Sequence, residues 1–173
     1  MQHVNKCLLG WSALARQARK RSATGIYHVM ARGINKEPIF RSDSDRLRYL
    51  AVLAEIKGSA SFILHAYCLM GNHVHLLLQE REEPVGSTLK RIGSSYVFWF
   101  NRKYERVGHL FQGRFLSEAV EDDSYFLTVL RYIHQNPIKA GITQYCHEYP
   151  WSSYAVYAGT AQKGLLLVDT AFS

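Results

Sequence analysis

The sequence predicts an α+β domain in which helices pack on a central, mainly antiparallel sheet. The chain has 173 residues, of which 47% are hydrophobic, and this is enough for one domain with a full core. Segments with strand-like and helix-like apolar spacing follow one another in the order β-α-β-β-α-β-α. We therefore divide the chain into an extension with a basic arm (1–21), one folded domain (22–158) and a C-terminal tail (159–173).

The first half of the domain predicts one strand, one helix and one hairpin. Residues 25–32 (GIYHVMAR) show the period-2 tendency of a strand. A helix follows over about 42–57, capped by Ser42 or Asp43. Residues 61–70 and 73–80 then predict two antiparallel strands, since a Gly-Asn turn joins them.

The second half predicts two longer helices with a strand between them. Pro84 opens a helix that runs to about Arg106, and residues 108–119 (GHLFQGRFLSEA) have the character of a fourth strand. The third helix begins at Asp122 or Asp123 and ends near Pro137 and Gly141. The aromatic segment that follows it (EYPWSSYAVYAG) is expected to wrap around the core.

Composition narrows the class of protein. No apolar run approaches the roughly 18 residues of a membrane span, so we expect a soluble protein. The three cysteines, Cys7, Cys68 and Cys146, are odd in number and widely spaced. They do not form a disulfide framework, and this favours a cytoplasmic location.

The net charge of +7 is concentrated at the N-terminus. The first 36 residues contain seven basic and no acidic residues, whereas the rest of the chain contains fourteen of each. Arg16, Arg19, Lys20 and Arg21 form a dense basic arm. A basic segment on a neutral domain indicates a polyanionic partner, most often nucleic acid. The alternative is a solubilising or targeting tail.

Two histidines at the start of the third predicted strand suggest a metal site. Because side chains alternate along a strand, His73 and His75 point to one face, and Val74, Leu76 and Leu78 point to the other. Two neighbouring neutral imidazoles on a rigid strand suit a divalent metal ion. The alternative is an ordinary pair of core or surface histidines.

The third helix supplies a candidate nucleophile beside a candidate ligand. Tyr132 and Asn136 lie four residues apart on one side of that helix. If the helix crosses the sheet face that bears the histidines, the amide of Asn136, or that of Gln135, completes a metal site. Such a site keeps open positions for a phosphate oxygen. A tyrosine phenol that attacks the phosphorus gives a 5′-phosphotyrosine and a free 3′-hydroxyl.

Five blocks of the sequence resemble the REP-associated tyrosine transposases. These belong to the HUH single-tyrosine transposase superfamily, together with transposases of the IS200 type. The resemblance covers about residues 16–158, and the blocks occur in the family's order. The blocks are YHVMARG (27–33), AYCLMGNHVHLLLQ (66–79), GHLFQGRF (108–115), RYIHQNPIKAG (131–141) and YPWSSY (149–154).

The resemblance implies a ferredoxin-like or RRM-like sheet. It also implies an enzyme that cleaves and rejoins single-stranded DNA at REP-like hairpins and that uses Mg²⁺ or Mn²⁺ as its metal ion. It assigns His73 and His75 as metal ligands, Tyr132 as the nucleophile and Asn136 as the third ligand, where some relatives carry glutamine. Residues upstream of Arg16 have no counterpart in the pattern. Our candidates for DNA contact are Arg16, Arg19, Lys20, Arg21, Arg32, Arg102, Lys103 and Arg114.

Two other functions fit parts of the sequence. The first is a non-catalytic RRM-like module whose exposed aromatic residues stack on bases. The second is a structural zinc domain that uses His65, Cys68, His73 and His75, although strand alternation places His65 and Cys68 on opposite faces. The oligomeric state, monomer or homodimer, stays open.

Overall fold

The computed structural model describes residues 20–59, 62–161 and 167–169. Its central feature is a four-stranded antiparallel sheet with the strand order β2-β3-β1-β4. The strands are β1 (Ile26–Arg32), β2 (Phe62–Leu69), β3 (His73–Glu80) and β4 (Leu116–Val120). The helices are α1 (Asp43–Lys57), α2 (Val85–Lys103), α3 (Asp123–Lys139) and the short α4 (Tyr154–Tyr157).

The topology is that of a ferredoxin-like fold followed by two added helices, α3 and the short α4. The units β1-α1-β2 and β3-α2-β4 each leave room for a strand of the other unit, so β1 and β3 lie side by side in the middle of the sheet. Helices α1 and α2 pack together on one face, and α3 packs against β2 and β3 on the other. The predicted fold class is therefore confirmed. Among the described helices, none combines the length and hydrophobicity that crossing a bilayer requires.

The face under α1 and α2 holds the larger core. Alternate residues of the central strands point into it, among them Val29 of β1 and Leu76 of β3, both fully buried. A cluster of aromatic rings closes it, with Tyr49 of α1 and Tyr96 of α2 only 5.0 Å apart between ring centroids. This face is apolar almost throughout, as expected for a surface that stabilises the fold by excluding water.

The face under α3 holds a smaller core and several polar groups. Phe126, Val129 and Ile133 of α3 pack on Ala66, Cys68 and Leu77 of the sheet. The C-terminal segment closes the free edge of β2, where Leu69 N donates to Trp151 O (2.9 Å) and Tyr149 Oη donates to Leu69 O (2.7 Å). The expectation that the aromatic tail wraps the core is met in this way.

The predicted start of the fourth strand is wrong. The strand predicted over residues 108–119 begins only at Leu116 and runs to Val120. Gly108 and Gly113 have φ values of +95° and +69°, which extended strands do not allow, so residues 108–115 form a loop that makes a single bridge from Phe111 to Gly33. The predicted end of α3 is confirmed, since the helix includes Pro137 and ends at Lys139. Gly141 adopts φ +68° just after the C-cap Ala140 and terminates the helix there.

The start of the described chain is fastened to the end of β4. Glu121 accepts hydrogen bonds from the Ala23 N–H (2.9 Å) and lies 3.3 Å from the Lys20 ammonium. Because the first 36 residues contain no acidic residue, the sequence predicts no acidic neighbour for the basic arm. The contact with Glu121 shows that this is wrong for Lys20. Arg16 and Arg19 lie outside the described residues, and the division of the chain at residues 21 and 158 stays a prediction.

Candidate active site

The two histidines of β3 point to the α3 face of the sheet. His73 is half-buried and His75 is buried, with their ring centroids 5.1 Å apart. On the opposite face, Val74, Leu76 and Leu78 enter the α1/α2 core. This alternation explains how one strand supports the core and the site together, because each of its two faces carries a different kind of residue.

The ring of His73 is held by the turn that precedes it. Its Nδ1 donates to Asn72 Oδ1 at 2.7 Å, and Asn72 Nδ2 donates to Lys36 O at 3.1 Å. The second bond fixes which end of the Asn72 amide is the oxygen, and the first then places the His73 proton on Nδ1. His73 Nε2 is left with a free electron pair.

A third histidine, His28 of β1, completes the cluster. It is 3% exposed, and its Nε2 lies 3.1 Å from His75 Nδ1. The two rings stack with centroids 5.3 Å apart. Strand β1 alternates as β3 does, so that Tyr27 and Val29 enter the large core while His28 faces α3.

Helix α3 brings Tyr132 and Asn136 over these rings. The Tyr132 ring stands edge-on to His75 and His28, with centroid distances of 5.6 and 5.8 Å. The Asn136 side chain interacts with His73, whose pKa it raises, while its Nδ2 donates to the main-chain oxygen of Tyr132 at 3.1 Å. All four residues singled out in the sequence therefore meet at one place.

Lys139, one turn beyond Asn136, was missed from the sequence. Its ammonium lies 4.5 Å from the centroid of the Tyr132 ring, within the range of a cation–π contact. Because it is seven residues after Tyr132 on the same helix, it lies on the same side. A positive charge beside a phenol favours any negative charge that develops there.

The histidines of the site are electrically neutral near pH 7. Burial lowers the pKa of His28 to about 4, against a smaller opposing effect of Glu118. Burial lowers the pKa of His75 further below its ordinary value, and the neighbouring His28 and His73 add to this. For His73, burial and then Arg32 lower the pKa, while the Asn136 hydrogen bond raises it. Neutral imidazoles are the form that binds metal ions.

The donors present fit a divalent metal ion held by mixed ligands. No group of three or more His, Cys, Asp or Glu side chains in the described ranges is arranged to hold a metal. A site at His73 and His75 therefore needs a ligand of another chemical kind. The interaction of Asn136 with His73 brings a side-chain amide beside the two imidazoles, and two imidazoles with an amide oxygen are an acceptable ligand set for such an ion.

The structural zinc site proposed as an alternative is absent from the described residues. Our reason for doubting it was wrong, however. A β-bulge between Leu64 and Ala66 shifts the alternation of β2. His65 consequently packs against Phe126 of α3, with ring centroids 5.2 Å apart, on the same face as Cys68.

The basic residues predicted to contact DNA divide between the two faces. Arg32 of β1 is the cross-strand partner of His73. Arg114 is exposed in the loop 108–115. This loop contacts the end of β1 through the hydrogen bond from Gln112 N to Arg32 O (2.8 Å). Arg102 and Lys103 lie on α2, on the far side of the sheet, where Lys103 is paired with the buried Asp45. Arg21 is exposed at the start of the described chain.

Sequence reasoning also missed His28. Its signal was available in the period-2 pattern of residues 25–32, which separates His28 from Tyr27 and Val29. The register that brings it to His75 was not, because which strands pair is decided by packing of the whole sheet. Gln135, the alternative amide, is half-buried on α3, but Asn136 is the amide that interacts with His73.

Comparison with known proteins gives two informative relatives. A Haemophilus influenzae protein assigned to the REP-associated tyrosine transposases is 27% identical over 100 residues, which are 51% of this chain and 57% of that protein. The chain thus spans little more than half the length of this relative. The solved structure of a REP-associated tyrosine transposase bound to a REP hairpin is similar in fold, with a TM-score of 0.70 and 17% identity, over 91% of this chain and 96% of that one.

A second solved structure, from Deinococcus radiodurans and described as a transposase, has a TM-score of 0.46 and 17% identity, over 70% of this chain and 97% of that one. The family model for IS200-like transposases matches residues 22–136. This range contains β1 with His28, the His73–His75 pair and α3 from its start to Asn136. The chain belongs to the family of IS200-like transposases.

Proposed function

We propose that this protein is a metal-dependent transposase or nuclease that cleaves and rejoins single-stranded DNA through Tyr132. One observation carries the proposal: α3 holds the Tyr132 ring against His75 while Asn136, one turn later, reaches His73. A nucleophile and a set of neutral donors thus share one face of a rigid sheet. Membership of the IS200-like family supports this assignment.

Tyr132 is the attacking group. Its phenolic oxygen forms a bond to a backbone phosphorus, and the bond from that phosphorus to the 3′ oxygen breaks. The phenol loses its proton to solvent and the departing 3′ oxygen gains one, so the products are a 5′-phosphotyrosine and a 3′-hydroxyl. Because the energy of the phosphodiester is kept in the new bond, a 3′-hydroxyl can attack the phosphotyrosine and rejoin DNA.

Residues His73, His75 and Asn136 would hold Mg²⁺ or Mn²⁺. Enzymes of this superfamily generally use a divalent metal ion, and when bound here it would polarise the phosphate that Tyr132 attacks. The chain's own contribution is to keep both imidazoles neutral by burial and to fix the His73 ring through Asn72. Preorganised donors of this kind need no rearrangement as charge develops.

Positive charges around the site would position the DNA. The Lys139 ammonium beside Tyr132 is placed to attract a phosphate oxygen of the bound strand. Arg32 and the exposed Arg114 lie near the His73 end of β1 and extend this positive surface. Contacts to phosphates fix the register of a strand without reading its bases.

A DNA hairpin is the substrate we propose. The similar solved structure is that of a transposase bound to a REP hairpin, and the curated relative is assigned to the same group of enzymes. The basic arm, of which Lys20 and Arg21 are described, adds charge that favours a nucleic acid.

A purely binding module of the RRM type is less well supported. Such modules stack bases on aromatic residues that are exposed on the sheet. Here the aromatic residues of the described strands, Tyr27, Phe62 and Tyr67, are at most 6% exposed and belong to the core under α1 and α2. The opposite face is covered over β2 and β3 by α3.

The test is to incubate the protein with labelled single-stranded hairpin DNA and Mn²⁺ and to look for a covalent adduct on a denaturing gel. We expect an adduct with the natural protein and none with Tyr132→Phe, which removes only the hydroxyl. Tyr125→Phe, in the first turn of the same helix, is the matched control and should keep the adduct. An undiminished adduct in Tyr132→Phe would assign the nucleophile elsewhere.

A further inference from the structure

The two candidate ligands on β3, His73 and His75, each have a hydrogen-bond partner at Nδ1, but the partners differ. His73 donates its Nδ1 proton to Asn72 Oδ1, and this leaves Nε2 as its only atom with a free electron pair. His75 is 2% exposed and is too far along the strand to use Asn72. Its Nδ1 lies instead 3.1 Å from Nε2 of His28.

Only one arrangement of protons in the pair of His28 and His75 leaves His75 able to bind a metal ion. A neutral imidazole carries one proton and one free electron pair. If His28 donated to His75 Nδ1, the free pair of His75 would be used there and its Nε2 would carry the proton. If His75 donates, its Nε2 has the free pair, and His28 accepts the bond at its own Nε2.

We infer that His28 is the positioning residue for His75, which it holds as the tautomer with the proton on Nδ1 so that Nε2 is free to bind the metal ion. This inference rests on the proposed function, because it takes His75 as a ligand. His28 accepts a hydrogen bond from Nδ1 of His75, as Asn72 accepts one from Nδ1 of His73. Outer groups that accept a proton from a ligating histidine fix both its ring orientation and its tautomer.

The other side of His28 points to an acidic partner. When His28 accepts at Nε2, its own proton is on Nδ1 and needs an acceptor, because His28 is only 3% exposed. Glu118 of β4 is the direct cross-strand partner of His28 in the antiparallel register. A carboxylate accepts hydrogen bonds and never donates them. Glu118, His28 and His75 thus follow one another across β4, β1 and β3, with Glu118 directly opposite His28 and His75 on the diagonal from it.

The packing of His28 is consistent with this role. Its ring stacks on His75 and meets the edge of Tyr132, with centroid distances of 5.3 and 5.8 Å. A ring that contacts both the ligand and the nucleophile limits how far either can turn. An ordinary core residue at this position would be apolar, as Val29 is on the other face.

The direct test is nuclear magnetic resonance of the metal-free protein with ¹⁵N-labelled histidine at neutral pH. Long-range correlations between ring protons and ring nitrogens show which nitrogen carries the proton. We expect the proton on Nδ1 for His28, His73 and His75. A proton on Nε2 of His75 would overturn the inference, and this measurement needs neither metal, DNA nor a variant.

The second test is Mn²⁺ affinity by calorimetry on the full chain. We expect His28→Phe, which removes the acceptor, to weaken Mn²⁺ binding by about 10–100-fold. His28→Gln, which keeps an acceptor oxygen, should recover part of the loss. His134→Gln is the matched control: His134 is also a buried histidine of the α3 face, but it bonds to Ser153 Oγ at 2.8 Å, and its replacement should leave Mn²⁺ affinity unchanged.

The variant His75→Ala shows whether a negative result contradicts only the positioning role of His28 or the metal site itself. If it removes Mn²⁺ binding while His28→Phe, shown to be folded by circular dichroism, binds as tightly as the natural protein, the positioning role is wrong and the metal site stands. If His75→Ala binds Mn²⁺ normally, the metal site itself is wrong, and the role of His28 falls with it. If His28→Phe does not fold, His28→Gln and the tautomer measurement decide.

Discussion

The two faces of the sheet are built from the same strands but under opposite requirements. On the α1/α2 face, residues such as Val29, Leu76 and Leu89 are fully buried and apolar. On the α3 face the same strands present His28, His73 and His75, three polar rings close to one another. A sheet stabilised mainly from one side can carry costly polar groups on its other side, because the rigid core fixes their positions.

The largest difference between the faces should appear when His73 or His75 is replaced by alanine. We expect loss of metal-dependent cleavage in both variants, because each removes a proposed ligand. The free energy of unfolding should fall by only about 1–3 kcal/mol, the cost of leaving His28 or Asn72 without its partner. Adduct formation on a denaturing gel and urea unfolding measure the two effects, and a variant that cannot fold would restore a purely structural role for the histidines.

Leu76→Ala should show the reverse behaviour. Leu76 directly follows His75 on β3 and is fully buried in the α1/α2 core. Removing its side chain should lower the free energy of unfolding by about 2–5 kcal/mol, with adduct formation per folded molecule retained. Cleavage lost from a fully folded Leu76→Ala protein would show that the two faces are not independent.

The buried histidines of the α3 face should make stability depend on pH. Burial lowers the pKa of His28 and of His134 from 6.5 to about 4, so the unfolded chain takes up protons first as pH falls. Their stabilising effect is full above about pH 6.5 and is lost toward about pH 4. When the pH is lowered from about 7.5 to about 5, each of these two histidines should reduce the free energy of unfolding by roughly 2 kcal/mol.

Urea midpoints at these two pH values measure the effect. The variant His134→Gln, which lies away from the proposed ligands, should reduce the difference between the two midpoints. An equal difference in the natural protein and in His134→Gln would show that His134 is not held neutral by the fold.

The smallest effects are expected for the basic residues. Arg32→Ala, at the cross-strand partner of His73, and Arg114→Ala, in the loop bonded to the end of β1, should weaken hairpin binding a few-fold. Each should lower the slope of log K against log salt concentration by about 0.7 if one phosphate contact is lost. Arg102→Ala, on α2 at the opposite face, is the control and should change neither quantity. A larger effect of Arg102→Ala would move the DNA path to the α1/α2 face.

Most of the fold could be predicted from the sequence, because the apolar spacing and the turn residues agree with the elements that the structure has. The apolar spacing of α1, α2 and α3 and the Gly71-Asn72 turn predicted elements that the structure has. The failures come from single residues with unusual backbone conformations. Gly108 and Gly113 turn an apparent strand into a loop, and the bulge at His65 reverses the side to which that residue points.

For the site, the sequence supplied residues that are close along the chain. His73 with His75, and Tyr132 with Asn136, are related by the periods of a strand and a helix, which are fixed by geometry. Lys139, seven residues after Tyr132, could have been found from the same helical period. His28, by contrast, reaches His75 only through a contact between two strands. Register and packing decide such contacts, and a single sequence does not encode them locally.

The central claim is that Tyr132 is the residue that becomes attached to DNA. The most direct measurement is mass spectrometry of the protein after incubation with a single-stranded hairpin oligonucleotide and Mn²⁺, followed by proteolysis. We expect the mass of a 5′-phosphorylated nucleotide fragment on the peptide that spans Tyr132, and on no other tyrosine-containing peptide. An adduct located on Tyr96, Tyr104 or Tyr125, or cleavage of the DNA without any attached nucleotide, would contradict the claim.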